Sequence, residues 1–330
     1  MKILLIQTAF IGDVILATPV MESIYSHYPD CTIDVMVRKG NEGLLANFPG
    51  IQKVLIWDKR EHKIRNLLSL LVTIRKEKYD EVINLQRFLS TGLLTAFSGA
   101  RETTGFNKNP VSFLFTRKIT HEIGNGLHET ERNLQLVAHL QCDTALRPSL
   151  HPSSADLQST QGYKSEAYVC MAPTSVWFTK QLPAEQWILL IQSLQKAMPA
   201  LRIYLLGGKA DTEACEQIRL NSNSTSVENL SGKLSFLQTA ALMKDAKMNY
   251  VNDSAPMHIA SAMNAPVTAF FCSTVPAFGF GPLSDNRSIA ESKETLSCRP
   301  CGLHGYVACP QKHFKCATTI SMWEAAKRTV

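Results

Sequence analysis

Short apolar runs alternate with amphipathic segments along most of this chain. Residues 3–6 form a continuous apolar run, which is typical of a strand buried on both faces of a parallel sheet. From Asp13 to Ile24 the apolar positions follow a helical period. The beginning of the sequence therefore predicts a strand, a turn over residues 7–12 and one helix that begins at Asp13.

The same alternation continues to the end of the chain. Further strands are predicted at residues 32–37, 54–57, 81–85, 168–172, 202–206, 248–251 and 266–271. Helices are predicted at residues 62–75, 88–97, 128–140, 236–244, 256–263 and 321–328, and another is opened by Pro183. Because strands alternate with helices, the sequence predicts an α/β fold built from doubly wound parallel sheets.

The length of the chain predicts two domains. A chain of 330 residues exceeds the usual size of one hydrophobic core. Residues 148–162 are rich in Pro, Ser and Gln and show neither period, which is typical of a linker. We therefore expect one Rossmann-like domain over residues 1–155 and another over residues 156–330, facing a cleft in which a ligand binds.

Composition and charge narrow the classes of protein. The hydrophobic fraction of 45% and the charged fraction of 19% are those of a globular protein. The formal charge of +6 favours anionic ligands or an anionic membrane surface, but the basic residues are scattered, which argues against a nucleic-acid partner. The sequence has neither a signal-peptide pattern nor an apolar run near the ~18 residues of a membrane span, so we expect a cytoplasmic protein.

Asp13 is the first candidate for chemistry. Its carboxylate can cap the predicted helix, and the helix end would keep it ionised but make it a weaker base. The same position lies at the carboxyl edge of a parallel sheet, where open α/β folds bind ligands. Both interpretations remain open on this motif alone. The turn at residues 8–12 lacks the GxGxxG pattern, which disfavours a dinucleotide-binding dehydrogenase.

Two further pairs have both a structural and a functional interpretation. Gly207 and Gly208 follow a predicted strand, where backbone N–H groups can approach a phosphate or ribose, although a tight turn explains them equally well. His128 and Arg132 share one helix face at a spacing of four residues. This pair suits an anionic group, but a solvated polar face has the same pattern.

A cluster of cysteines follows the last predicted strand. Cys298, Cys301, Cys309 and Cys316 provide the ligand types of a tetrahedral structural zinc site, but their spacing is looser than that of a zinc ribbon. Two local disulfides or free thiols are the alternatives. The other five cysteines lie far apart in the sequence, which suits reduced thiols.

Five segments together resemble the heptosyltransferase family, and they span nearly the whole chain. They are IGDVILATP near the start, PTSVWFTKQLP at residues 173–183, LSGK at 230–233, NDSAPMHIASA at 252–262 and STVPAFGFGP at 273–282. Members of this family are inverting GT-B glycosyltransferases that move heptose from an ADP-sugar onto the inner core of lipopolysaccharide. The resemblance implies the GT-B fold, in which a tail helix, here residues 318–330, often crosses back to the first domain.

The resemblance also implies roles for individual residues. Asp13 matches the general base near the acceptor, beside Gly12, and Lys180 matches a lysine that contacts the donor phosphates. Ser175 matches a small hydroxyl residue that faces the diphosphate. The donor-side loop and helix start are matched by Asp253, Ser254, Ala255 and His258. Two residues depart from the family pattern, because Ala255 replaces a frequent glycine and Val176 has no hydroxyl.

The chemistry of the family explains these residue types. Transfer from a nucleotide-diphosphate sugar develops positive charge on the sugar and negative charge on the leaving diphosphate, which Lys180 and a helix N-terminus can stabilise without a metal cofactor. Asp13 would accept the proton of the acceptor hydroxyl, giving single displacement with inversion. Asp253 would position the donor, and Glu213 or Glu216 would hold the ribose. His128 and Arg132 would bind a Kdo carboxylate or core phosphate.

The sequence leaves several alternatives open. The expected partners are an ADP-sugar donor, a lipopolysaccharide core acceptor and the inner membrane, which the apolar stretch at residues 111–115 would contact peripherally from the cytoplasmic side. A nucleotide-sugar epimerase would share the fold and use only one substrate. A zinc-stabilised nucleic-acid module lacks the expected basic stripe. The donor sugar, the acceptor sugar and the oligomeric state are not fixed by the sequence.

Overall fold

A computed structural model describes residues 1–142 and 147–329. Contacts between backbone positions divide the chain into two compact units, Met1–His151 and Pro152–Val330. Val330, the last residue of the predicted tail segment, lies outside the described residues. Each unit contains its own six-stranded parallel sheet, with helices in the connections between strands.

The sheet of the first unit has the strand order β3-β2-β1-β4-β5-β6. Its strands are β1 (Lys2–Ile6), β2 (Thr32–Arg38), β3 (Ile51–Trp57), β4 (Glu81–Asn84), β5 (Glu102–Phe106) and β6 (Arg117–Ile119). Its helices are α1 (Ile11–Ile15), α2 (Thr18–His27), α3 (Lys63–Glu77), α4 (Leu89–Ala96) and α5 (Glu129–Leu134), the last continued by 3-10 turns over Gln135–Leu140. The four strands predicted here are confirmed, whereas β5 and β6 carry too few apolar residues to be predicted.

The predicted single helix from Asp13 to Ile24 is wrong. The segment forms two helices, and Pro19 is the second residue of α2. Proline has no N–H to donate to the carbonyl of Ile15, which lies one turn earlier, so a continuous helix would lose that hydrogen bond. The Thr18 hydroxyl donates to the Ile15 carbonyl instead, at 2.7 Å. Asp13 is consequently the third residue of the short helix α1, and Phe10 is its N-cap.

The sheet of the second unit repeats this topology, in the order β12-β11-β10-β7-β8-β9. Its strands are β7 (Tyr168–Ala172), β8 (Arg202–Leu205), β9 (Val227–Asn229), β10 (Asn249–Asn252), β11 (Val267–Phe271) and β12 (Arg287–Glu291). Its helices are α6 (Ser154–Ser159), α7 (Ala184–Ala197), α8 (Thr212–Asn221), α9 (Phe236–Lys244), α10 (Ala255–Ala262), α11 (Lys315–Thr318) and α12 (Met322–Ala326). The predictions of β7 and α9 match to the residue, and Ser235 caps α9.

The last helix packs within the second unit. Met322, Ala325 and Ala326 of α12 are buried in the same core cluster as Trp187 and Leu190 of α7. The Tyr250 hydroxyl also donates to the Ala325 carbonyl, at 3.3 Å. The end of the chain thereby covers one face of the second sheet.

Candidate functional site

Both sheets have the doubly wound strand order. The chain adds strands toward one edge of the sheet and then toward the other, and the switch lies between β1 and β4 in the first sheet and between β7 and β10 in the second. In such sheets ligands bind outside the carboxyl ends of the strands at this switch point. Asp13 follows β1, Lys180 follows β7 and Asp253 follows β10. Three of the residues singled out from the sequence therefore lie at the switch points of the two sheets.

The turn between β1 and α1 is held by side chains from three other segments. Gln86, after β4, donates from its amide to Gln7. Asn41 donates to the Ala9 carbonyl at 3.1 Å, and Lys59 donates to the Thr8 carbonyl at 2.7 Å. This turn carries the chain directly into the helix of Asp13, so the contacts fix the position of its carboxylate.

The carboxylate of Asp13 accepts a hydrogen bond from the Phe10 N–H at 3.1 Å. Burial and the nearby charge of Glu129 raise the pKa of Asp13 to about 6, against the opposing effects of the Phe10 N–H and Arg87. The helix end alone predicted an acidic carboxylate, but burial outweighs it. At neutral pH Asp13 is still mostly ionised, and it is a stronger base than an ordinary aspartate.

Glu129 is a second carboxylate near Asp13 that the sequence did not single out. Its carboxylate accepts from Arg132 Nε at 2.7 Å and lies 3.3 Å from His121 Nε2. Burial alone would raise the pKa of Glu129, but contacts with His121 and Arg132 hold it below its ordinary value. The α5 helix is tied to the end of α1, because Asn133 donates to the Leu16 carbonyl at 3.1 Å.

The residues predicted to bind the acceptor have different surroundings. Arg132 is fully buried, and it donates from Nε to Glu129 and from Nη1 to the Leu127 carbonyl. His128 is the N-cap of α5 and accepts from the Thr130 N–H at 3.2 Å, and Gly12 is the second residue of α1. Their contacts with an acceptor remain a prediction. The sequence signal for Glu129 was its place between His128 and Arg132.

On the donor side, Lys180 and Asp253 form an ion pair. Lys180 Nζ lies 2.8 Å from Asp253 Oδ2, and their side chains are 16% and 7% exposed. The Thr274 hydroxyl donates to the same carboxylate oxygen at 2.6 Å. Both residues were predicted to contact the donor, but their direct pairing was not foreseen. Ser175, on the loop before Lys180, is half-buried, and its carbonyl accepts from Gln181 at 2.7 Å.

The start of α10 is poorer in free N–H groups than the sequence suggested. Pro256 has no N–H, and the Met257 N–H donates to the Ser254 carbonyl at 3.0 Å. The donors that can serve a phosphate here are thus the N–H groups of Ser254 and Ala255. His258 is buried on the same helix, at 6% exposure.

The glycine pair after β8 closes a local turn. The Gly208 N–H donates to Asp211 at 2.7 Å, and a Cβ on Gly207 would lie 2.8 Å from Asp211 Cβ. The turn itself thus accounts for Gly207, whereas a Cβ on Gly208 would make only an ordinary contact with Asp211, at 3.5 Å. The contact of either glycine with a donor stays a prediction. Glu213 is exposed on α8, whereas Glu216 binds Arg219 and Asn229.

The cysteine-rich segment forms no disulfide, since all nine cysteines, each within the described ranges, are free thiols. Among residues 1–142 and 147–329, no group of three or more His, Cys, Asp or Glu side chains is arranged to hold a metal ion. Cys298 Sγ lies 3.8 Å from His313 Nε2, and burial and neighbouring cysteines raise the pKa of Cys316 to about 11. The described structure thus holds these thiols neither in a disulfide nor in a set arranged to fit a zinc ion, and both interpretations stay predictions.

Comparisons of the sequence with known proteins identify the same family over most of the chain. The sequence profile of glycosyltransferase family 9 (heptosyltransferase) matches residues 67–304. Lipopolysaccharide heptosyltransferase 3 of Escherichia coli is 28% identical over 291 residues, which are 84% of this chain and 85% of that protein. Lipopolysaccharide heptosyltransferase 1 of Campylobacter coli is 26% identical over 290 residues, 83% of this chain and 84% of the relative.

Solved structures show the same fold. The family 9 glycosyltransferase of Veillonella parvula has a TM-score of 0.86 at 20% identity, covering 99% of this chain and 95% of that one. ADP-heptose lipopolysaccharide heptosyltransferase II of E. coli has a TM-score of 0.82 at 21% identity, covering 99% and 97%. Within the described residues, no helix has both the length and the apolar character needed to cross a membrane.

Proposed function

The chain belongs to glycosyltransferase family 9, and from this premise we propose that it transfers heptose from ADP-heptose to a Kdo or heptose residue of the lipopolysaccharide inner core. As a family member it is a glycosyltransferase of the heptosyltransferase type with the GT-B fold. Its curated relatives carry names that point to lipopolysaccharide synthesis. The donor and the acceptor sugar are part of the proposal.

The observation that carries the proposed mechanism is the position of the Asp13 carboxylate, which lies at the switch point of the first sheet and is held there by the Phe10 N–H. Burial and Glu129 raise its pKa to about 6. In the proposed reaction Asp13 accepts the proton of the acceptor hydroxyl as its oxygen attacks the anomeric carbon. The bond between that carbon and the diphosphate oxygen breaks, ADP leaves, and the configuration inverts. A base with a pKa near 6 is ionised at neutral pH and has more driving force than an ordinary aspartate.

The second unit would stabilise the leaving diphosphate. Lys180 forms an ion pair with Asp253 in this structure, and its ammonium group can also bind a phosphate oxygen. The N–H groups of Ser254 and Ala255 at the start of α10 add a fixed positive end. These groups together supply the electrostatic stabilisation that departure of ADP requires.

Cations near Asp13 support an anionic acceptor. Lys59 is bound to the turn that precedes Asp13. Burial above all, and in addition the nearby charges of Arg38 and Lys63, lower the pKa of Lys59 to about 8, so three cations lie close together at this edge of the sheet. A Kdo carboxylate or a core phosphate would neutralise this cluster, which the sequence did not single out.

Exposed apolar side chains support a peripheral contact with an anionic membrane. Phe10, Ile64, Phe88 and Phe113 are 53%, 74%, 63% and 71% exposed, and each follows the carboxyl end of a strand of the first sheet. They therefore lie at the same edge of the sheet as Asp13. Phe113 belongs to the apolar stretch that was expected to contact the bilayer.

The exposed face of α3 extends this surface. Ile64, Leu68 and Val72 recur at four-residue spacing and are 74%, 58% and 53% exposed. Arg65, Arg75 and Lys76 are exposed on the same helix. A face that combines apolar and basic residues suits the interface of an anionic bilayer, which is where a lipid-linked acceptor would be presented.

Product analysis tests the proposed activity. The protein is incubated with ADP-heptose alone and with a Kdo-terminated lipid acceptor, and the products are separated by mass spectrometry. We expect a heptosylated acceptor and ADP only when both substrates are present. An isomerised donor sugar in the absence of acceptor would indicate an epimerase, and Kdo- and heptose-terminated acceptors that both stay unchanged with ADP-heptose would refute the proposal.

Zinc in the cysteine-rich segment is a separate proposal. The four thiols do not form a ligand set in this structure, so a zinc ion would require them to move together. Metal analysis of protein purified without chelator decides the question, because a folded protein without bound metal would exclude a structural zinc.

A further inference from the structure

The cysteine-rich segment contacts the donor side of the second unit through Thr179, the residue before Lys180. Thr179 is 1% exposed, and its hydroxyl oxygen accepts from the Tyr306 N–H at 2.7 Å and from the Ser273 hydroxyl at 3.0 Å. The Thr179 N–H in turn donates to the Tyr306 carbonyl at 3.1 Å. Two backbone segments 127 residues apart are thus joined by reciprocal hydrogen bonds.

Gly305 lies against the same point and leaves no room for a side chain. A Cβ there would be 2.8 Å from Thr179 Oγ1 and 3.1 Å from both Lys180 Cγ and Ser273 Oγ. Thr179 Oγ1 is held by two hydrogen bonds, so it cannot easily give way. The φ of Gly305 is +76°, which also favours glycine. The turn at Gly305 and Tyr306 therefore packs directly on the stem of Lys180.

The same segment also holds the partner of Lys180. Arg299 Nη2 donates to the Thr274 carbonyl at 2.8 Å, and the Thr274 hydroxyl donates to Asp253 at 2.6 Å. The Cys301 N–H donates to the Ser273 carbonyl at 2.8 Å. Both members of the Lys180–Asp253 ion pair are therefore in contact with residues that the cysteine-rich segment fixes.

We propose that the turn at Gly305 and Tyr306 is a positioning element that holds Lys180 where the donor diphosphate binds. The proposal rests on the proposed role of Lys180 as a phosphate contact. A lysine side chain loses considerable rotamer freedom when it is ordered, so a turn that fixes its stem before binding lowers the entropic cost of the phosphate contact.

Two glycines of the same segment provide a matched test. Gly305→Ala and Gly302→Ala both place a side chain at positive φ, +76° and +65°. A Cβ on Gly302 would make only ordinary contacts with the Tyr306 side chain, at 3.6 Å from the hydroxyl oxygen and 3.9 Å from Cζ. We expect Gly305→Ala to raise the Kd for ADP, measured by calorimetry, by about tenfold or more, and Gly302→Ala to change it by less than about twofold.

A double-mutant cycle distinguishes positioning from general damage. If Gly305 acts through Lys180, Gly305→Ala will weaken ADP binding less than about twofold further in a Lys180→Ala background. Additive losses would overturn the proposal. Unchanged ADP affinity in Lys180→Ala would refute the proposed role of the lysine itself, whereas a weakened Lys180→Ala with an unaffected Gly305→Ala would refute only the positioning role.

Thr179 variants keep the proposal testable if Gly305→Ala does not fold. Thr179→Val removes the hydroxyl that accepts from Tyr306 but keeps the side-chain volume, and Thr179→Ser keeps the hydroxyl. We expect weaker ADP binding for the valine variant and near wild-type binding for the serine variant. Equal affinities in both would contradict the proposal.

Discussion

At the scale of single residues, the ionised form of Asp13 lowers the stability of the folded protein, because burial and the charge of Glu129 disfavour it. Asp13 is held in surroundings that favour its protonated form, with a pKa of about 6 against an ordinary value of 3.8. With respect to Asp13, the folded state is therefore most stable below about pH 4 and loses this contribution as the pH rises through about 6. The same shift makes the carboxylate a better base at neutral pH.

Replacement of Asp13 by Asn should separate these two effects. Turnover is expected to fall by about 10²–10⁴-fold because the base is lost. The free energy of unfolding at pH 7 should rise by about 1–3 kcal/mol, and this gain should disappear near pH 4, where the wild-type carboxyl is protonated. Urea denaturation at both pH values and a transfer assay check this. Near wild-type turnover would exclude Asp13 as the base.

Glu129 should set the pH at which the candidate base titrates. Glu129→Gln removes a negative charge near Asp13, so the acid limb of the kcat/KM profile should move from about pH 6 to lower pH. Arg87 already lowers the pKa of Asp13 and would continue to act in the same direction. The matched control is Glu131→Gln on the same helix, whose carboxylate accepts from the His128 N–H at 2.6 Å. Equal profiles in all three proteins would rule out this effect.

At the scale of elements, local chemistry explains both the successes and the failures of prediction. The α3 helix was predicted nearly to its ends because Leu67, Leu70, Leu71 and Ile74 pack as one stripe on the first core. The strands β6 and β12 were missed because they are edge strands with exposed polar residues, and neighbouring strands rather than apolar runs determine them. Pro19 is the local residue that divides the predicted helix, because it has no N–H to donate to the Ile15 carbonyl.

The exposed face of α3 should bind anionic vesicles. Joint replacement of Ile64 and Leu68 by Asp is expected to weaken binding to phosphatidylglycerol-containing vesicles by about tenfold or more, because apolar insertion is lost and negative charge is added. Leu220→Asp, at a position 50% exposed on α8, is the control. Sedimentation with vesicles at low and high salt measures the binding. Equal binding of all variants, or none by the wild type, would contradict the proposed surface.

At the scale of the whole molecule, two sheets with one topology place Asp13, Lys180 and Asp253 at switch points. Most strands and helices could be predicted in each half, because apolar periods are local properties of the sequence, whereas β5, β6, β9 and β12 were missed. The resemblance to the heptosyltransferase family also came from the order of short motifs, and the family match confirms it. Asp13, Lys180 and Asp253 could be named from those motifs, although their roles stay predictions.

The sequence by itself determined the alternation of elements, the two-part organisation and the motifs that lead to Asp13 and Lys180. Only the tertiary structure decided the protonation of Asp13, its neighbour Glu129, the Lys180–Asp253 ion pair and the packing of Gly305 on Thr179. The physical reason is that desolvation and charge interaction depend on groups distant in sequence. Glu129 lies 116 positions from Asp13, and Tyr306 lies 127 from Thr179. The turn after the first strand predicts where the candidate base lies, and its folded surroundings set the pKa of that carboxylate.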